Sequence, residues 1–231
     1  MNLNKKKIAI IGLGYVGINL AVQFGKKFHT IGYDIDANRV IELKKKIDKT
    51  KEVSKIQFKE ANKLKFTNSL ADIRDCKFKI IAVPTPVLDN NSPDLSYLKK
   101  ATEDICKYIK KKDIIIYEST TYPGCTKEFC GKIISRKKKF KVNKDFFLGY
   151  SPERVNPADK KNNITTVPKL ISASNSNSLN EIHFIYSKII KAGLIKTKNI
   201  ETAEATKLVE NIQRDLNIAL MNELSIIFKK L

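Results

Sequence analysis

The six residues Gly12-Leu13-Gly14-Tyr15-Val16-Gly17 constrain the fold of this chain more than any others. They match G-x-G-x-x-G, a pattern of little specificity by itself. Its surroundings supply the rest. Residues 7–12 (KIAIIG) form an apolar run of strand length just before it. Residues 15–24 follow with helical spacing, and a second short run, residues 29–34 (HTIGYD), ends in an acid. A strand, a glycine turn, a helix and a strand ending in a carboxylate are the parts of a dinucleotide cradle. Gly12 permits the tight turn, Gly14 lets a pyrophosphate reach the backbone, and Gly17 lets the helix pack close to the strand. Exposed N–H groups and the dipole at the helix start hold the phosphates. Asp34 can accept both hydroxyls of an adenosine ribose and repels a 2′-phosphate, so NAD is expected over NADP. For Arg39, five residues further on, two readings stand: a cover for the adenine, or a solvent-exposed helix residue.

Further strands are expected at residues 78–83 (FKIIAV), 113–118 (DIIIYE) and 145–150 (DFFLGY), and at Lys169–Ala173. Helical patterns fill residues 37–47, 96–109, 126–135 and 179–190. Continuous apolar strands alternating with helices predict an α/β, Rossmann-like, doubly wound parallel sheet covered on both faces. Residues 201–231 contain neither Gly nor Pro, and Leu208, Ile212, Leu216, Ala219, Leu220, Leu224 and Ile227 recur at three- and four-residue spacing. They predict one long helix of up to ~30 residues, or ~45 Å. Such a helix needs something to pack against. The expected organisation is a dinucleotide-binding domain over residues 1–198 and a long helix over residues 199–231.

The hydrophobic content of 42% over 231 residues suffices for one ordinary core. The net charge of +20 raises the possibility of a nucleic-acid partner. However, the lysines are spread along the whole chain, and arginine occurs only at Arg39, Arg74, Arg136, Arg154 and Arg214. A general compositional bias is the better reading, and no nucleic-acid partner is expected. The positive field still favours anionic ligands. No apolar run reaches the ~18 residues of a membrane span. The basic start is followed by a segment broken by three glycines and carrying Gln23 and Lys26. A signal peptide is therefore rejected and a cytoplasmic protein expected. The four cysteines, Cys76, Cys106, Cys125 and Cys130, form no C-x-x-C pair, and there are two histidines. Neither a disulfide framework nor a metal site is expected.

Other motifs are ambiguous in isolation. Pro84 and Pro86 flank Thr85 and are either strand terminators or the stiff edge of a ligand site. Glu118-Ser119-Thr120-Thr121 offers hydroxyls and a carboxylate for water or ribose. Cys125 sits at an expected helix start, where a thiolate is favoured, yet no base is placed beside it. Glu153 is either an acid–base group or a capping carboxylate. Lys207 and Asn211 lie four apart on one helix face. They are either solvated or paired to hold a developing oxyanion.

Together these segments resemble the UDP-glucose/GDP-mannose dehydrogenase family. IGLGYVGINLAVQFG, GYDID, VPTP, YESTTYPGCT, GYSPERVNPADK and TAEATKLVENIQRDLNIALMNEL stand in family order. The wording of SPERVNP and ENIQRDLNIALMNEL is closer to the branch acting on UDP-N-acetylhexosamines (UDP-GlcNAc, UDP-GalNAc or UDP-ManNAc). The resemblance implies NAD binding at Gly12, Gly14, Tyr15, Val16, Gly17, Asp34, Arg39, Thr85 and Thr120. It implies that Thr120 orients a catalytic water, that Glu153 does acid–base work, and that Lys207 and Asn211 stabilise anionic oxygen. It implies NAD-dependent oxidation of a UDP-sugar C6 alcohol to the uronate, for surface polysaccharide synthesis.

The family's nucleophilic cysteine belongs to a G-G-x-C stretch beyond the long helix, in a C-terminal domain that grips the substrate nucleotide. Nothing in this sequence matches either. The expectation is a truncated N-terminal part that binds NAD and forms little or no uronic acid, as a homodimer through the long helix or with a complementary C-terminal chain. The alternative is a non-catalytic NAD-binding interaction protein. Ala158 stands where the family usually has glycine, a minor departure.

Overall fold

The computed structural model describes residues 6–154 and 164–231. The end of the SPERVNP motif and Ala158 lie outside them. Eight strands form one sheet: β1 (Lys7–Ile11), β2 (His29–Tyr33), β3 (Leu64–Thr67), β4 (Phe78–Ile81), β5 (Ile114–Tyr117), β6 (Phe147–Tyr150), β7 (Lys169–Ala173) and β8 (Leu194–Lys196). Their order is β3-β2-β1-β4-β5-β6-β7-β8. All neighbours run parallel except β6 and β7, which are antiparallel. The helices are α1 (Tyr15–Gly25), α2 (Ala37–Lys44), α3 (Lys55–Glu60), α4 (Ser96–Ile105), α5 (Lys132–Lys138), α6 (Ser176–Tyr186) and α7 (Ile200–Phe228).

Continuous apolar strands exist here because both faces of the sheet are covered. Ile8 and Ile10 of β1 enter one core, with Phe24, Ile116, Ile182 and Tyr186. Ala9 and Ile11, pointing the other way, enter a second with Leu98, Ile105, Ile115 and Tyr117. The expected doubly wound fold is therefore present.

Several local expectations are corrected. β3, β8 and α3 were not anticipated. β3 (LKFT) and β8 (LIK) occupy the two edges of the sheet, where burial is partial and lysines interrupt the pattern. The helix expected over 37–47 stops at Lys44, and Lys46 takes a left-handed φ of 60°. The helix expected over 96–109 ends at Ile105 and tightens into a 3₁₀ turn at Cys106–Tyr108. The one expected over 126–135 opens as a π-helical turn, Cys125–Gly131.

The long C-terminal helix is real: α7 runs 29 residues from its cap Asn199, whose side chain accepts the Thr202 N–H. Only Ile200, Ala203 and Glu204 are buried. Beyond them Ile212, Leu216, Leu220 and Ile227 are all about half or more exposed.

Candidate active site

The parallel strands end along one rim, and β1 lies where the order reverses, with β2 on one side and β4 on the other. Clefts of this fold open at that point. Gly12 leaves β1 with φ +91°, and a Cβ there would stand 2.8 Å from the Ala82 carbonyl oxygen. A Cβ on Gly17 would fall 1.8 Å from the Gly12 carbonyl oxygen, so turn and helix are in backbone contact. Gly14 is different. Its φ is −70° and a Cβ would meet nothing within 4 Å. No internal contact requires glycine there; the space above it is open to a ligand. Gly14 caps α1 without a side-chain bond, and no acidic residue stands in the first turn. The first N–H groups of α1, from Tyr15 onward, thus face outward unsatisfied, an anion-binding arrangement.

Asp34 follows β2. Its carboxylate accepts the Leu13 N–H at 2.7 Å and the Asp36 N–H at 2.9 Å, which fixes it against the glycine turn. Each oxygen keeps a lone pair for a further donor. Arg39 is neither solvated nor loose. Its Nε and Nη2 donate to the Leu13 carbonyl at 3.0 and 2.9 Å, and Nη2 lies 2.8 Å from Asp48. Burial opposes ionisation of Asp48, but hydrogen bonds from Thr50, Arg39 and Val53 outweigh it and hold its carboxyl below the usual range. Asp48 also accepts the Glu52 N–H. It was not singled out in the sequence, because a lone Asp in a lysine-rich loop carries no pattern.

The loops after β4 and β5 are laced together. Thr85 donates to the Thr120 carbonyl at 2.8 Å, and Ser119 to the Val83 carbonyl at 2.6 Å. The Thr120 side chain is exposed on this rim, whereas Thr121 is buried.

Glu118, offered by the sequence as a carboxylate for water or ribose, faces inward instead. It is buried, 2.7 Å from Lys169 Nζ and accepting the Tyr186 hydroxyl at 2.5 Å. Burial pushes its carboxyl up to about 7, against the pull of Lys169. Burial also works against the Lys169 ammonium, but the carboxylates of Glu118 and Glu153 prevail and hold it above its ordinary value. Glu153, half-buried on the loop after β6, lies 3.5 Å from Lys169. Arg154 pairs with Glu210 of α7 at 2.5 Å and so ties this loop to the long helix. Lys207 and Asn211 are both half-buried one turn apart. Burial lowers the Lys207 ammonium, with Arg214 and Lys169 adding repulsion and Glu210 and Glu153 countering. The fold thus brings Glu153 and Lys207 into one electrostatic cluster, separated in sequence by two strands and a helix.

The thiolate expected at Cys125 from its helix start is corrected, while the missing base still argues against a nucleophile: the residue is buried, and a hydrogen bond with Cys130, burial and the nearby Glu204 push its thiol up. Glu204 of α7 explains why the helix start does not favour a thiolate. Its carboxylate already takes the Gly124 N–H at 2.6 Å, the Thr126 N–H at 2.8 Å and the Thr121 hydroxyl at 3.3 Å. Among the described residues, no three His, Cys, Asp or Glu side chains stand together as a metal site. No described helix is long and apolar enough to cross a membrane.

The NAD-binding domain model of the UDP-glucose/GDP-mannose dehydrogenase family matches residues 6–190, and the family's central-domain model matches residues 201–231. The chain belongs to the UDP-glucose/GDP-mannose dehydrogenase family. As a member of that family it carries the NAD-binding domain. It is 48% identical to the UDP-N-acetyl-D-glucosamine 6-dehydrogenase of Salmonella typhi over 99% of this chain and 54% of that protein. It is 46% identical to protein CapL of Staphylococcus aureus, over 98% of this chain and 53% of that one. The solved UDP-D-ManNAc dehydrogenase from Pyrococcus horikoshii superposes with a TM-score of 0.89 at 30% identity, over 96% of this chain and 53% of that one. The chain spans about half the length of these relatives.

Proposed function

We propose that this chain supplies the cofactor-binding and acid–base half of an NAD-dependent dehydrogenase that oxidises the C6 alcohol of a UDP-N-acetylhexosamine. The observation that carries the reading is the open cradle at Gly14 beside the fixed Asp34 carboxylate. Gly14 and the first N–H groups of α1, at Tyr15, Val16 and Gly17, would hold the pyrophosphate of NAD, and Asp34 would hold the ribose diol. Arg39 works from beneath by holding the Leu13 carbonyl. Thr85 and Thr120 line the rim. A bound NAD would supply the hydride acceptor for the alcohol carbon. Glu153 takes the alcohol proton, the Lys207 ammonium and Asn211 amide face the oxygen as it becomes anionic, and Thr120 orients water. In this reading the cofactor-binding domain extends over residues 1–198 and the helix over residues 199–231. Four free, buried thiols suit the reducing cytoplasm.

Calorimetry tests it. The chain takes up NAD, and Asp34→Ala weakens that uptake at least tenfold, with a larger loss for NAD than for NADP. A folded chain that takes up no NAD, or an Asp34→Ala variant that binds NAD unchanged, would sink the assignment.

The exposed stripe Ile212, Leu216, Leu220 and Ile227 of α7 supports self-association, and we take a second copy as its partner. Sedimentation should show a concentration-dependent dimer that Leu216→Glu shifts to monomer. A monomer at all concentrations would exclude it.

A further inference from the structure

We propose that Lys169, backed by Glu118 and Tyr186, is a positioning residue that fixes the carboxylate of Glu153. The proposal rests on the role given to Glu153 above.

Its basis is the one antiparallel pairing in the sheet. β7 runs against β6, with Tyr150 opposite Ser172 and Gly149 opposite Ala173. The first residue of β7 therefore arrives at the rim where the parallel strands end. That residue is Lys169. At the same rim Glu118 leaves β5 and Glu153 follows β6.

An ammonium has three protons to give. Lys169 directs its three toward Glu118 Oε2 at 2.7 Å, the Pro152 carbonyl at 3.2 Å and Glu153 Oε2 at 3.5 Å. Two of the three acceptors belong to the Glu153 loop. The other oxygen of Glu118 accepts the Tyr186 hydroxyl. The Lys169 side chain is 4% exposed, Glu118 is fully covered, and Glu153 is 17% exposed. The network thus runs from the core outward to the carboxylate of Glu153.

Stability alone does not account for such a pair. Apolar residues of equal volume are commonly as stable as a buried ion pair or more so, because desolvation offsets the attraction. A buried cation that fixes a loop carboxylate at the rim has a use that methionine in its place would not. Other charged or titratable groups facing this cluster are Lys207 of α7, Arg154 beside Glu153, Tyr186 of α6 and Tyr150 of β6.

The test uses the full chain with ¹³C-labelled glutamate side chains, the Glu153 signal being identified by its loss in Glu153→Gln. Lys169→Met alone leaves Glu118 buried without its cation and is expected to destabilise the chain. The double variant Glu118→Gln, Lys169→Met removes both charges and keeps the fold. In that variant the Glu153 side chain loses the donor that holds it, and the order parameter of its labelled side chain should fall toward that of a mobile group, below roughly 0.6. Lys169→Arg should restore it. NAD affinity should stay within about twofold, because the cradle lies at β1 and β2. A folded double variant whose Glu153 side chain stays as ordered as in the unsubstituted chain overturns the proposal. Failure of the unsubstituted chain to bind NAD would overturn the functional reading instead, and the two results are separately visible.

Discussion

Gly14→Ala should leave the fold nearly as stable as before and weaken NAD binding about 10- to 100-fold, whereas Gly17→Ala should lose the fold itself. The two glycines sit in one motif, so the contrast is a sharp one. At Gly14 the backbone is in a region open to alanine, and an added methyl meets no protein atom within 4 Å. The stability change is confined to a poorer helix cap, below about 1 kcal/mol. The methyl would instead occupy the space of the pyrophosphate, and such overpacking costs about 1–3 kcal/mol. At Gly17 the methyl would fall 1.8 Å from the Gly12 carbonyl oxygen, a backbone atom that cannot swing aside. Helix α1 would have to lift from β1, at a cost of about 3 kcal/mol or more. Urea unfolding and calorimetry on the two variants separate the effects. If Gly14→Ala bound NAD normally, the ligand would not lie where the cradle places it.

Glu204→Ala should be the most damaging single change on α7. Its carboxylate is covered, and it satisfies two backbone N–H groups and one hydroxyl of the turn after β5. Removing it leaves those donors without their acceptor and a void behind them. Each unsatisfied buried donor costs about 1–3 kcal/mol, so about 3 kcal/mol in all is expected. Glu204→Gln keeps the volume and one acceptor oxygen and should recover part of the loss. Hydrogen exchange should show the Gly124 and Thr126 amides opening in the alanine variant. Unchanged protection of those amides would mean that the turn stands without the helix.

The dinucleotide cradle was legible in the sequence because its parts are close along the chain and each has a local reason. Gly12 needs a positive φ, Gly17 a close approach, and Asp34 ends the next strand. The central strands were legible too, since burial on both faces writes itself as unbroken apolar runs such as IIIY of β5. The edge strands β3 and β8 were not, because half-exposed strands carrying lysines lack both the run and a clean alternation. The Glu118–Lys169–Tyr186 network was invisible for another reason. Its members are 51 and 68 positions apart and meet only because β7 reverses direction. The same holds for Glu204 and its turn, 78 to 83 positions away. Lys207 and Asn211 were singled out only through the family resemblance, since a lysine and an asparagine one turn apart occur on many solvated helices.

The anchoring of α7 near one end has a mechanical consequence. Glu204 acts as a fulcrum, with Lys207 about 4.5 Å beyond it and Phe228 about 36 Å beyond it along the same rod. A tilt of about 10° around that point would sweep the far tip through roughly 6 Å while displacing Lys207 by less than about 1 Å. The short arm of this lever carries Lys207 and the long arm carries the apolar stripe. Whatever seats on the stripe can settle by several ångströms without disturbing the ammonium.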